Sequence, residues 1–156
     1  MSDAECTIVS PAVIVPNADI DTDQIIPSRF LVTASYVGLG RHLFADRRDP
    51  WAAHLPDAPA IGSPNGARIL VAGQNFGCGS FREHAVWALL DAGFRAIVSS
   101  RFADQFRSNA GSNGLLPVEI EETKLTTLCR FLKHNPKSIV STLTNYKLIN
   151  YVKTPI

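Results

Sequence analysis

The sequence predicts an α/β domain with at least one pair of parallel strands. Three observations support this. Short apolar runs at 68–72, 95–100 and 115–120 alternate with stretches of helical period at 81–92 and 101–109. A turn containing Gly73, Gly77 and Gly79 joins the first of these runs to the first of these helices. A chain of 156 residues, 46% hydrophobic and 19% charged, suits a single folded domain over 1–156 with a substantial core.

Taken in order, residues 7–15 read as a strand broken by Pro11. A loop follows at 17–27, with Asp19, Asp21 and Asp23 in alternation. It lacks the sixth-position glycine and distal glutamate of an EF-hand, so its plain reading is an Asx-turn that ends the strand, with no metal. Residues 38–44 predict a turn and a short helix, and 56–66 a surface connection. In the helix at 81–92, Ala85, Leu89 and Ala92 share a face with Val86 and Leu90 alongside. Ser80 with Glu83 three places on spells a capping box, which starts this helix just after Ser80 with Arg82 in its first turn. Gly93 is placed to stop it. The next helix, 101–109, ends at AsnAlaGlySerAsnGly. Residues 121–135 set Leu125, Leu128, Phe131 and Leu132 on one stripe, and 139–144 and 146–152 read as strands joined by a turn.

A strand delivering the chain to a glycine-rich bend at a helix start favours an anion, because unpaired N–H groups and the helix dipole converge there. Gly77 and Gly79 admit close backbone approach, Arg82 offers a planar fork to a carboxylate, and Ser80 is available for proton transfer. The bland alternative makes Ser80 an N-cap and Arg82 a solvated residue. The spacing G-x-x-x-G-x-G is neither the dinucleotide fingerprint nor a P-loop. Cys78 reads first as a small residue in a tight bend rather than a reactive thiol.

A net charge of +1 gives no sign of a nucleic-acid or membrane surface. Residues 121–156, with six basic and two acidic groups, form only a modest basic tail. Cys6, Cys78 and Cys129 include no C-x-x-C pair, so no metal or iron–sulfur site of this chain's own is expected. Sparse cysteines and the lack of an 18-residue apolar run predict a cytoplasmic protein without a membrane span.

Three segments resemble one family. GlyGlnAsnPheGlyCysGlySerPheArgGluHisAla (73–85), AsnAlaAspIleAspThrAspGlnIleIlePro (17–27) and residues 99–117 are similar to the signatures of the 3-isopropylmalate dehydratase small subunits, in the aconitase superfamily. Composition leaves a doubly wound nucleotide fold open, whereas the resemblance implies the swivelling β/β/α domain. It also implies hydro-lyase chemistry in leucine biosynthesis, interconverting 2- and 3-isopropylmalate through an alkene. The chain would be active only with a large-subunit partner that holds a [4Fe-4S] cluster, and its substrate is a small dicarboxylic acid.

By the resemblance Ser80 is the base and Arg82 the carboxylate ligand. Gly79, Arg29, Val32, Arg41 and Phe81 lie toward substrate, with Val32 suited to an isopropyl group. Asp21, Thr22, Asp23, Gly77 and Cys78 shape the loop, Asp21 and Asp23 by bonding to neighbouring backbone. Glu83 and His84 match the signature without need of a substrate contact. Phe81 stands where the family usually has a second serine, and the chain resembles the shorter form without a C-terminal extension. Two alternatives follow, a related subunit acting on another substituted malate (dimethylmalate, homoaconitate or citraconate type) and a catalytically silent scaffold.

Overall fold

The computed structural model describes residues 7–32, 35, 37–49, 66–135, 138–143 and 149–152. Most of the connection expected at 56–66 and the turn between the last two strands lie outside them. The elements are β1 (Thr7–Val15), α1 (Thr22–Ile25), β2 (Ile69–Ala72), α2 (His84–Ala92), β3 (Ala96–Ser99), α3 (Asp104–Ser112), β4 (Leu116–Glu119), α4 (Glu122–His134), β5 (Ile139–Leu143) and β6 (Ile149–Val152). The strands form one sheet in the order β4-β3-β2-β1-β5-β6. The first four are parallel and the last two antiparallel. The α/β expectation therefore holds, with three parallel pairs.

Pro11 does not break β1. Residues Thr7 to Pro11 pair with β5, and Ala12 to Val15 pair with β2 on the other side. Pro11 stands where β1 changes partner, so its missing N–H costs the ladder little. Beside it, the Ser10 hydroxyl donates to the Pro11 carbonyl (2.7 Å) and accepts from the Arg68 N–H (2.9 Å).

Every residue of β2 and β3 is buried, which is why these strands read as continuous apolar runs. Alternate side chains serve two cores. Leu70, Ala72 and Ile97 join Ala85, Leu89 and Phe106 under α2 and α3, while Ile69, Val71, Ala96 and Val98 meet Leu125, Leu128 and Leu132 of α4. Burying each leucine of the α4 stripe contributes about 1.5–3 kcal/mol. Gly93 ends α2 in the left-handed conformation (φ 114°), as its position suggests.

Two helix starts differ from expectation. The capping box at Ser80 is not formed: α2 begins at His84, and its N-cap Glu83 makes no side-chain cap bond. The carbonyls of Ser80 and Phe81 are engaged by Thr22 and Asn109, which holds this stretch in a loop. Likewise α3 begins at Asp104 and runs to Ser112, because Phe102 bridges Phe76 and the Arg101 carbonyl accepts the Asn75 and Phe76 N–H groups.

Candidate active site

The three segments singled out in the sequence converge. Loop 73–83 leaves the C-terminal end of β2 and is stitched on one side to residues 19–22. The Asp19 N–H donates to the Gln74 carbonyl (2.9 Å), Gly77 N–H to Ile20 (2.8 Å) and Thr22 N–H to Cys78 (2.9 Å). On the other side it joins residues 101–103, with Asn75 N–H on the Arg101 carbonyl (2.7 Å) and Ala103 N–H on Phe76 (3.2 Å). Gly73 permits the approach to β1, since a Cβ there would run into the backbone of Asn17 and Pro16. Gly77 and Gly79 turn the loop with φ of 83° and 91°.

The end of the loop is fixed by its carbonyls. The Thr22 hydroxyl donates to the Ser80 carbonyl (3.0 Å), and the buried Asn109 amide donates to the Phe81 carbonyl (3.4 Å). Gln105 holds the Asn109 oxygen in turn (2.9 Å). With these carbonyls tied inward, Ser80 is exposed and Phe81 is 77% exposed. Arg82 follows, its Nη1 3.0 Å from the Asp23 carboxylate. The loop thus presents an exposed serine, a large ring and an oriented guanidinium in three consecutive residues.

Asp21, Thr22 and Asp23 lie against the loop that carries Gly77 and Cys78. Asp21 caps α1 by accepting from the Gln24 N–H (2.8 Å), so the AspThrAsp stretch begins a one-turn helix instead of a simple Asx-turn. Asp23, expected to bond to neighbouring backbone, pairs instead with Arg82 among the described residues. Asn109 lies in the third matched segment, but nothing in its residue type distinguishes it from other helix asparagines. Its burial on a polar helix, 28 positions from its partner, is visible only in three dimensions. His84 packs its ring against Trp87 (4.7 Å between centroids, 58° between planes), and its Nδ1 is buried without a partner among the described residues.

The Arg29 fork is occupied by Asp46 through two bonds of 2.6 and 2.7 Å. That pairing pushes the Arg29 pKa up and holds the Asp46 carboxyl below its usual range. Val32 is 83% exposed. Arg41 folds back beside Gly38, in a segment packed on the C-terminal end of α2. Along α2 that end is about 12 Å from the end that follows Ser80. Among the described residues, none of the three bonds to Ser80 or Arg82.

Residues 9–123 match the family model described as Aconitase C-terminal domain. The chain belongs to the aconitase C-terminal domain family. A 3-isopropylmalate dehydratase small subunit of Cytophaga hutchinsonii is 48% identical over 136 residues, covering 84% of this chain and 66% of the relative. Another, from Azobacteroides pseudotrichonymphae, is 42% identical over 146 residues, covering 92% and 74%. This chain therefore spans about two-thirds of the length of the first of these relatives. A crystal structure of 3-isopropylmalate dehydratase (leuD) from Methanocaldococcus jannaschii superposes with a TM-score of 0.68 at 28% identity, over 97% of this chain and 84% of that one.

Whether an aconitase C-terminal domain of this sequence suits the expected iron–sulfur cluster is decided by its donors. Cluster ligands are thiolates. Burial, then Asp21 and Asp19, push the Cys78 thiol up, and burial pushes Cys129 up on α4, so both favour the protonated form. They belong to different layers, Cys78 beside α1 and Cys129 with the α4 core. No group of three or more metal-binding side chains occurs among the described residues. The described residues do not fit a cluster. Among the described residues no helix is long and apolar enough to cross a membrane.

Proposed function

We propose that this chain is the small subunit of a 3-isopropylmalate dehydratase, active with a large-subunit partner that brings the [4Fe-4S] cluster. The observation that carries this reading is the loop offering an exposed Ser80 hydroxyl next to Arg82, anchored by Thr22 and Asn109 through carbonyls alone. The relatives' names suggest the substrate, and the loop offers this chain's half of the site.

Isomerisation requires a C–H proton to leave one carbon and hydroxide to leave its neighbour, then both to return with positions exchanged. Ser80 acts as the base in its alkoxide form, taking the C–H proton on Oγ to become the hydroxyl and giving that proton back on re-addition. Arg82 binds a substrate carboxylate through the guanidinium edge that Asp23 leaves open, which sets the reacting carbon against Ser80. A cluster held by the large-subunit partner would supply the Lewis-acid chemistry. Val32 faces the apolar substituent. A cytoplasmic location, with neither nucleic acid nor membrane as partner, completes the reading.

Asp23 orients Arg82 from a half-exposed position, so its contribution is modest. Asp23→Asn is expected to raise KM about two- to fivefold, the range of an exposed ion pair, with kcat little changed. A large fall in kcat at constant KM would show that Asp23 acts in the chemistry instead.

Phe81 favours a second reading, a related subunit for another substituted malate, because a ring 77% exposed beside Ser80 adds apolar surface where substrate binds. The deciding experiment mixes the purified chain with cluster-loaded large subunit and follows alkene absorbance from 2-isopropylmalate. Turnover that needs both chains is the expected result. A stable complex without turnover transfers the assignment to another malate, and no complex at all favours the silent scaffold.

A further inference from the structure

A single carboxylate oxygen on α2 binds two backbone groups of a distant segment. Asp91 Oδ2 accepts from the Gly38 N–H at 3.0 Å and from the Gly40 N–H at 2.8 Å. Gly40 fits only because it has no side chain, since a Cβ would stand 2.5 Å from the Ala92 nitrogen and 2.7 Å from its Cα. Gly38 takes φ 89°, which turns the chain into the 3-10 helix Leu39–His42, and Leu39 is buried. The return is tied to the departure: the Phe30 and His42 rings stack 3.9 Å apart at 5°. Val32, past Phe30, and Val37, before Gly38, are 83% and 75% exposed, so apolar surface flanks the clamp on its solvent side.

We infer that Asp91 is a positioning residue, which through Gly38 and Gly40 fixes the Val32 and Val37 surface relative to α2. That helix begins at His84, separated only by Glu83 from Ser80, Phe81 and Arg82. One rigid element then references both the loop that carries the proton-transfer and carboxylate groups and the surface that meets the substrate's apolar substituent. Two hydrogen bonds to an ionised oxygen are stronger than neutral ones, and the backbone contact at Gly40 sets the distance. The inference rests on the dehydratase reading, in which Val32 faces that substituent.

The test compares wild type, Asp91→Ala, Asp91→Asn and Gly40→Ala, each combined with cluster-loaded large subunit, on 3-isopropylmalate and on a methyl-substituted malate. Asp91→Ala is expected to raise KM for 3-isopropylmalate about tenfold, the loss of roughly one charge-assisted bond, and KM for the methyl analogue about threefold or less. With both substrates kcat stays within about twofold. Asp91→Asn keeps an acceptor oxygen and recovers most of the affinity. Gly40→Ala, which lifts the segment off α2 with Asp91 intact, reproduces the KM pattern. An unchanged KM in Asp91→Ala, or equal losses of kcat on both substrates, overturns the inference. Wild type inactive on both substrates overturns the dehydratase reading instead. The clamp is then judged by amide exchange at Gly38 and Gly40, and rates unchanged by Asp91→Ala overturn it.

Discussion

Ser80→Ala is expected to lower turnover by about 10²–10⁴-fold, the usual share of a positioned acid–base group, while leaving the fold and the complex with the large subunit intact. The separation is possible because this residue does two jobs with different atoms. Its carbonyl accepts from Thr22, and that bond survives the substitution. Its hydroxyl makes no hydrogen bond among the described residues, so removing Oγ leaves no buried partner stranded. Thermal unfolding should therefore match wild type while alkene formation in the reconstituted complex collapses. A variant with normal turnover would remove Ser80 from the chemistry and leave the silent scaffold or another base. A variant that loses both turnover and complex would show the hydroxyl to be an interface contact.

The Ser80 and Arg82 pair stands out in the sequence because its signal is local, a glycine turn followed by both residues between an apolar run and a helical period. What holds the pair was only half legible. Asp21 and Thr22 stand in an aspartate-rich stretch that draws notice, whereas Asn109 and Asp91 are single polar residues on helices. Each acts on a backbone group far away in sequence, Asn109 on Phe81 and Asp91 on Gly38 and Gly40. No spacing rule encodes such contacts. Arg29 is a further contact that residue type does not convey: Asp46, 17 positions on, pairs with its guanidinium fork.

The fold followed the same division. Strands β2, β3 and β4 fell within a residue or two of their apolar runs, because burial on both faces leaves little alternation to misread. Helix α4 appeared through its leucine stripe. The errors lie where tertiary bonds override local preference. Ser80 and Glu83 have the composition of a capping box, but Thr22 and Asn109 compete for the carbonyls and delay α2 to His84. Pro11 has the composition of a break, but β1 uses it where its pairing passes from β5 to β2.

Gly77→Ala should be among the most destabilising single-methyl additions to this chain. Two costs coincide. At φ 83° an L side chain strains the backbone by about 1–2 kcal/mol. The new Cβ would also collide with the ring and Cβ of Phe106. That ring has little room to retreat, since it is buried edge-on to Phe76 at 5.3 Å and stacked on Phe102 at 6.1 Å. Overpacking of this kind adds about 1–3 kcal/mol, for a total of about 2–5 kcal/mol. In a domain of this size that lowers Tm by roughly 5–20 °C. Gly114→Ala is the internal control: its φ is 81°, and a Cβ there meets nothing within 4 Å, so only the backbone cost applies. The difference between the two variants isolates the clash with Phe106. Shortening that ring in Phe106→Leu should relieve part of the Gly77→Ala penalty, giving a favourable coupling in a double-mutant cycle. Equal losses at Gly77 and Gly114 would mean that the loop moves freely off α3. In that case Asn109 could not hold the Phe81 carbonyl in place, and the fixed presentation of Ser80 and Arg82 would have to come from residues 19–23.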